Sequence, residues 1–100
     1  MMTDLTKIFK ALSDESRLAI YQLIRERCGS THEASEAELN RSVSKIAEEF
    51  DLALSTVSHH LRELKNAGLI QCEKRGQRIY CSAGVEALRP VGEFLEDRGS

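Results

Sequence analysis

Hydrophobic positions recur along this chain as a series of amphipathic stripes. Leu5, Ile8, Phe9 and Leu12 repeat at steps of three and four, which predicts a first helix over about Asp4 to Leu12. Ser13 and Asp14 interrupt it as candidate caps. Glu15 adds acid to the next first turn, and Leu18, Ile20, Tyr21, Leu23 and Ile24 carry a second helix to about Arg27. From Cys28 to Arg41 no apolar period is sustained and polar and acidic residues concentrate, which predicts a mobile connection with at most one short helical turn. Val43, Ile46, Ala47 and Phe50 then mark a third helix over about Val43 to Phe50, with Ser42 as a candidate cap. After the turn Asp51-Leu52-Ala53, Val57, Leu61 and Leu64 share one side of a fourth helix over about Leu54 to Asn66. Gly68 falls where such a helix ends in a left-handed residue.

Beyond Gly68 the period changes. Ile70–Lys74 and Arg78–Ser82 flank Arg75-Gly76-Gln77 and predict a β-hairpin with a basic tip. If it is symmetric about Gly76 and Gln77, facing residues have numbers summing to 153, so Cys72 opposes Cys81. Pro90 fits the first turn of a last helix to about Asp97, with Val91, Phe94 and Leu95 on its apolar side. The expected fold class is mainly α with a small β-hairpin (α+β): about five helices plus a two-stranded wing. Helices three and four have the length pattern of a helix-turn-helix. One hundred residues suffice for a single modest core, hence one domain over 1–100, which is expected to pair with a copy of itself.

The fourth helix carries the candidate chemistry. Opposite its apolar stripe lie Ser55, Ser58, His59, Arg62 and Lys65, short hydroxyls, an imidazole and cations suited to base edges and phosphates, with Glu63 the exception. His60 falls at the edge of the buried side and is expected to be a hydrogen-bonded structural group. The net charge of −2 looks wrong for a nucleic-acid binder, but residues 55 to 80 hold five basic side chains against two acidic ones. An excess of three is also within reach of chance.

Three blocks resemble one family: Lys10-Ala11-Leu12-Ser13-Asp14-Glu15-Ser16-Arg17-Leu18, the run from Ser55 to Ile70, and Gly76 with Ile79-Tyr80. Together they resemble the ArsR/SmtB winged-helix repressors over nearly the whole chain. The resemblance implies a winged helix-turn-helix homodimer binding double-stranded DNA as a repressor of an imperfect palindrome. Regions 1–12 and 85–97 would dimerise, 43–66 would be the helix-turn-helix and 69–83 the wing. Leu54, Ser55, Thr56, Ser58, His59, Arg62 and Lys65 would meet bases and phosphates, and Arg75, Gln77 and Arg78 the flanking minor groove. Leu5, Ile8, Phe9, Leu12, Val91, Phe94 and Leu95 would line the dimer interface; on composition alone they suit an intramolecular core equally. Relatives commonly carry a capping serine and then glutamine where this chain has Ala53 and Leu54, so its sequence preference should differ.

The usual metal sites of the family look absent. Ser42 and Ser44 stand in place of its Cys-x-Cys pair, and hydroxyls are poor ligands for soft metals. The last helix has no histidine. No cofactor is expected. Cys28 and His32 form a weak metal pair in a stretch that reads better as solvated connection. Cys72 and Cys81 read either as a redox pair or as small buried residues beside Ile70 and Ile79. A thiol-redox or metal-responsive sensor using Cys28, Cys72 and Cys81, and a protein-interaction module docking through its acidic surface, are the competing functions. No catalytic constellation or phosphate loop appears, so no enzyme is expected. Three unevenly spaced cysteines suit reduced thiols, and neither a spanning run nor a signal segment appears; a cytoplasmic protein with no membrane contact is expected.

Overall fold

The first two helices meet at a corner built from Ser13, Asp14 and Arg17. Asp14 Oδ1 accepts the Arg17 backbone N–H at 2.9 Å, capping the second helix and holding the Asp14 carboxyl below its ordinary pKa. The Arg17 guanidinium reaches back to the Ala11 carbonyl at 2.6 Å, tying the end of one helix to the start of the next. The computed structural model describes residues 2–28, 42–84 and 86–96. Among them are helices α1 (Met2–Leu12), α2 (Glu15–Cys28), α3 (Val43–Phe50), α4 (Leu54–Asn66) and α5 (Arg89–Glu96), with strands β1 (Gln71–Arg75) and β2 (Arg78–Ser82). The expected mobile connection lies, from residue 29 to 41, outside the described residues.

The core is where the inner faces converge. Ile8 and Ala11 from α1, Ile20, Tyr21 and Ile24 from α2, Ile46 and Ala47 from α3, and Val57, Leu61 and Leu64 from α4 are buried with Leu69, Ile70 and Cys81. Each helix supplies its share at steps of three or four, as an apolar stripe on a 3.6-residue repeat must. α2 meets α1, α4 and β2 and forms the floor on which the helix-turn-helix rests.

Both ends of α3 are locally encoded. Ser42 Oγ accepts the Lys45 N–H at 3.3 Å, and Asp51 closes the helix in the left-handed region at φ 53°. Ser42 also forms an isolated antiparallel bridge with Tyr80, which fastens the wing to the start of α3. We expect Ser42→Ala to lower the unfolding free energy by about 1 kcal/mol in urea titration. A change below a few tenths would show that the cap contributes nothing here.

The end of α4 is a Schellman turn. Leu69 N–H bonds to the Leu64 carbonyl and Gly68 N–H to the Lys65 carbonyl, both at 3.0 Å, with Gly68 at φ +79°. This reversal delivers the chain into β1. The hairpin pairs Cys72 with Cys81, Glu73 with Tyr80, Lys74 with Ile79 and Arg75 with Arg78. Its loop is Gly76-Gln77, with positive φ at Gly76 alone, the pattern of a II′ turn. Ile70, 3% exposed, packs into the core just before β1, which begins at Gln71. Pro90 stands second in α5, where its missing N–H costs nothing.

Candidate nucleic-acid interface

α4 separates its two faces sharply. Val57, Leu61 and Leu64 are buried, while Leu54, Ser55, Thr56, Ser58, His59, Arg62 and Lys65 are all exposed. The exposed set runs the length of the helix, so about 13 residues at 1.5 Å rise present a polar ridge near 20 Å long. α3 packs across α4 from the apolar side and leaves this ridge uncovered. Ala53 occupies the N-cap without a side-chain hydrogen bond, so the first N–H groups of α4 keep donors to offer an incoming phosphate. Leu54 is 56% exposed and gives the ridge an apolar leading edge.

The wing extends this surface. Arg75 and Gln77 are exposed; Arg78 is in β2, and its side chain lies outside what the structure describes. The Arg75 guanidinium sits 4.7 Å from the centroid of the Tyr80 ring, and its Nε is 3.5 Å from Glu73 Oε1. Arg75 therefore has competing partners on the strand face, and a contact with DNA would replace them. Strand alternation adds Lys74, a basic residue of the wing that the sequence did not place among the contacts: it is exposed and shares a face with Cys72 and Ile79. The register was available from the sequence and would have found it. Ile79 is 42% exposed, so the expectation that it lies with Cys72 and Cys81 on a buried face fails at the outer end of the wing. Ile79 lies on the open cleft that Val43, Leu61 and Cys72 also line, so core side chains cover it only in part.

His60 also departs from expectation. It is half-buried, and its Nδ1 is enclosed without a hydrogen-bond partner among the described residues. The Asp14 carboxyl, held below its ordinary pKa first by the Arg17 backbone N–H, lies near enough for the imidazole to contribute to that lowering.

The second exposed surface is apolar. Phe9 is 45% exposed, Phe94 55% and Leu95 66%, and the Phe9 and Phe94 rings meet edge to face at 5.9 Å between centroids. α1 and α5 pack together and carry one apolar patch between them. Ile8, expected in an interface, is only 2% exposed and belongs to the core, as the helical step from Ile8 to Ala11 requires. Leu5, Leu12 and Val91 are half-buried, Leu12 and Val91 against the core. They support the patch from beneath.

Among the described residues no group of three or more His, Cys, Asp or Glu side chains converges on a point. His32 and the side chain of Cys28 fall outside the described residues. No described helix is long and apolar enough to cross a membrane.

Comparison with known proteins bears on this arrangement. A helix-turn-helix domain family matches residues 12–73, which takes in α2, α3, α4 and the start of the wing. The transcriptional repressor SdpR of Bacillus subtilis is 33% identical, over 85% of this chain and 81% of its own. An ArsR-like transcriptional regulator from a Rhodococcus species superposes with a TM-score of 0.75 at 26% identity, covering 98% of this chain and 81% of that one. This chain belongs to the ArsR/SmtB-type helix-turn-helix regulators. A homodimeric winged helix-turn-helix DNA-binding domain from Mycobacterium bovis, a possible ArsR-family regulator, matches with a TM-score of 0.70 at 26% identity over 96% of this chain and 81% of that one. In this winged helix-turn-helix fold α3 and α4 form the helix-turn-helix, β1 and β2 form the wing, and the polar side of α4 is exposed beside it. The chain is a DNA-binding transcriptional regulator, and its family is not one of enzymes.

Proposed function

We propose that this regulator is a homodimeric repressor of an imperfect DNA palindrome, with α4 of each copy in successive major grooves and the wings on flanking DNA. The observation that carries this reading is the uninterrupted exposed polar ridge of α4 opposite a fully buried apolar stripe. Ser55, Thr56, Ser58 and His59 read or position on bases, and Leu54 packs on a thymine methyl. Arg62 and Lys65 neutralise phosphates, and Arg75, Gln77 and Arg78 serve the minor groove. The copies join through the patch of Phe9, Phe94 and Leu95, a reading supported by the homodimeric mycobacterial relative. A cytoplasmic location is consistent with a regulator that acts on DNA.

The residues at the family's Cys-x-Cys metal position do not suit a soft metal. At the Cys-x-Cys position, Ser42 is 1% exposed and its Oγ is engaged as the cap of α3, so it is unavailable even as a hard ligand. Ser44 offers only a hydroxyl.

Fluorescence anisotropy with the palindrome upstream of the coding region, measured across a salt series, tests the DNA-facing assignment. Arg62→Ala should weaken binding to every duplex and flatten the slope of log K against log salt by about one unit. A slope equal to that of the parent protein would remove Arg62 from the phosphate contacts. His59→Ala should instead reorder the preference among operator variants, and an equal loss on every sequence would count against base reading.

A further inference from the structure

Cys72 and Cys81 face each other across β1 and β2 with their sulfurs 3.8 Å apart. Because Arg75 and Arg78 close a two-residue loop, the ladder alternates so that the cysteine pair occupies a non-hydrogen-bonded position. Cα atoms at such positions approach to about 4.5 Å, inside the range of about 4.4–6.8 Å that a disulfide spans. The two thiols differ in access. Cys81 is fully buried in the core, whereas Cys72 is half-buried and opens on a cleft of about 180 Å³ shared with Ser58, Arg62 and Lys65 of α4. A hydrogen bond from Cys81 and the charge of Lys65 outweigh the cost of burial and bring the Cys72 thiol down to about 7, so much of it is thiolate at neutral pH. An accessible thiolate beside a buried second thiol is the arrangement that converts sulfur oxidation into a disulfide.

We propose that Cys72 and Cys81 form a hydroperoxide-reactive dithiol in the wing, and that closing it weakens DNA binding. The Cys72 thiolate attacks the distal oxygen of a hydroperoxide; the O–O bond breaks, the alkoxide or hydroxide leaves and takes up a proton, and Cys72 becomes a sulfenic acid. Cys81 sulfur then attacks Cys72 sulfur, the S–O bond breaks, and water leaves with the Cys81 proton. Two thiols have lost two electrons and the peroxide has gained them. The sulfurs must move from 3.8 Å to about 2.05 Å. Cys81 is locked in the core, so the displacement falls on Cys72 and β1, the strand that carries Lys74 and Arg75. Cys72 also withdraws from the cleft against α4, and the wing changes its angle to the recognition helix. Loss of the thiolate charge beside Lys65 acts in the opposite sense, so the direction of the affinity change is itself decisive.

The inference rests on the DNA-binding reading above, and the experiment separates the two. The full chain is titrated onto its upstream palindrome before and after hydrogen peroxide, with thiols counted and disulfides mapped by mass spectrometry. Reduced protein should bind; if it does not, the repressor reading fails, and thiol mapping alone still reports the chemistry. With peroxide, free thiols counted after denaturation should fall from three to one, the bridge should map to Cys72 and Cys81, and affinity should drop about fivefold or more and return with dithiothreitol. Cys81→Ser should stop at a Cys72 sulfenic acid that dimedone traps, with no bridge. A bridge to Cys28, no bridge at all, or unchanged or tighter DNA binding by the bridged protein would overturn the proposal.

Discussion

Leu64→Ala is expected to lower the unfolding free energy by about 2–5 kcal/mol, a large part of the roughly 5–15 kcal/mol that a domain of this size holds. Leu64 is fully buried on the inner face of α4, and its carbonyl accepts the Leu69 N–H that reverses the chain into the wing. Truncation leaves a cavity where α4 meets the rest of the core, so the recognition helix and the wing lose support together. Urea denaturation should show a lower midpoint at unchanged slope. Leu54→Ala is the control: the same chemistry on the same helix at 56% exposure should cost no more than about 0.5 kcal/mol. Equal effects at the two positions would show that α4 is not anchored by this face.

Phe94→Glu should convert the dimer to monomers while leaving the protomer folded. Phe94 is 55% exposed in a single chain, so a glutamate there keeps its hydration until a second copy covers it. An unpaired carboxylate buried in that contact costs roughly 3–5 kcal/mol, which raises the dimer dissociation constant by about two to three and a half decades. Affinity for a palindrome should fall with it, because one recognition helix holds a half-site without help from the other. Sedimentation equilibrium and anisotropy on the same samples check both statements. A variant that remains dimeric would move the interface away from α1 and α5; one that is monomeric yet binds the palindrome unchanged would remove dimerisation from DNA recognition.

Much of this was legible in the residues. α3 and α4 begin and end where their apolar periods and caps predict, and the hairpin register follows from a two-residue glycine turn, because these features depend on neighbours within a few positions. The exposed polar ridge of α4 was legible for the same reason: helical period assigns every residue of α4 to a face once Val57, Leu61 and Leu64 are known to be inside. Ile8 was misplaced because period shows that a side is apolar but not which neighbour covers it. Ile79 was misplaced because alternation assigns a strand face but not how far the core extends beneath it.

The order of elements, the faces of the helices and the opposition of Cys72 to Cys81 were therefore determined by sequence alone, through contacts local along the chain. Tertiary structure alone decided that Ile8 is core while Phe9 and Phe94 meet at the surface, that Tyr80 binds the wing back to Ser42, and that Cys72 opens toward Lys65 while Cys81 is sealed. Each of these joins residues far apart in the chain, and depends on how whole elements pack rather than on the period of any one of them.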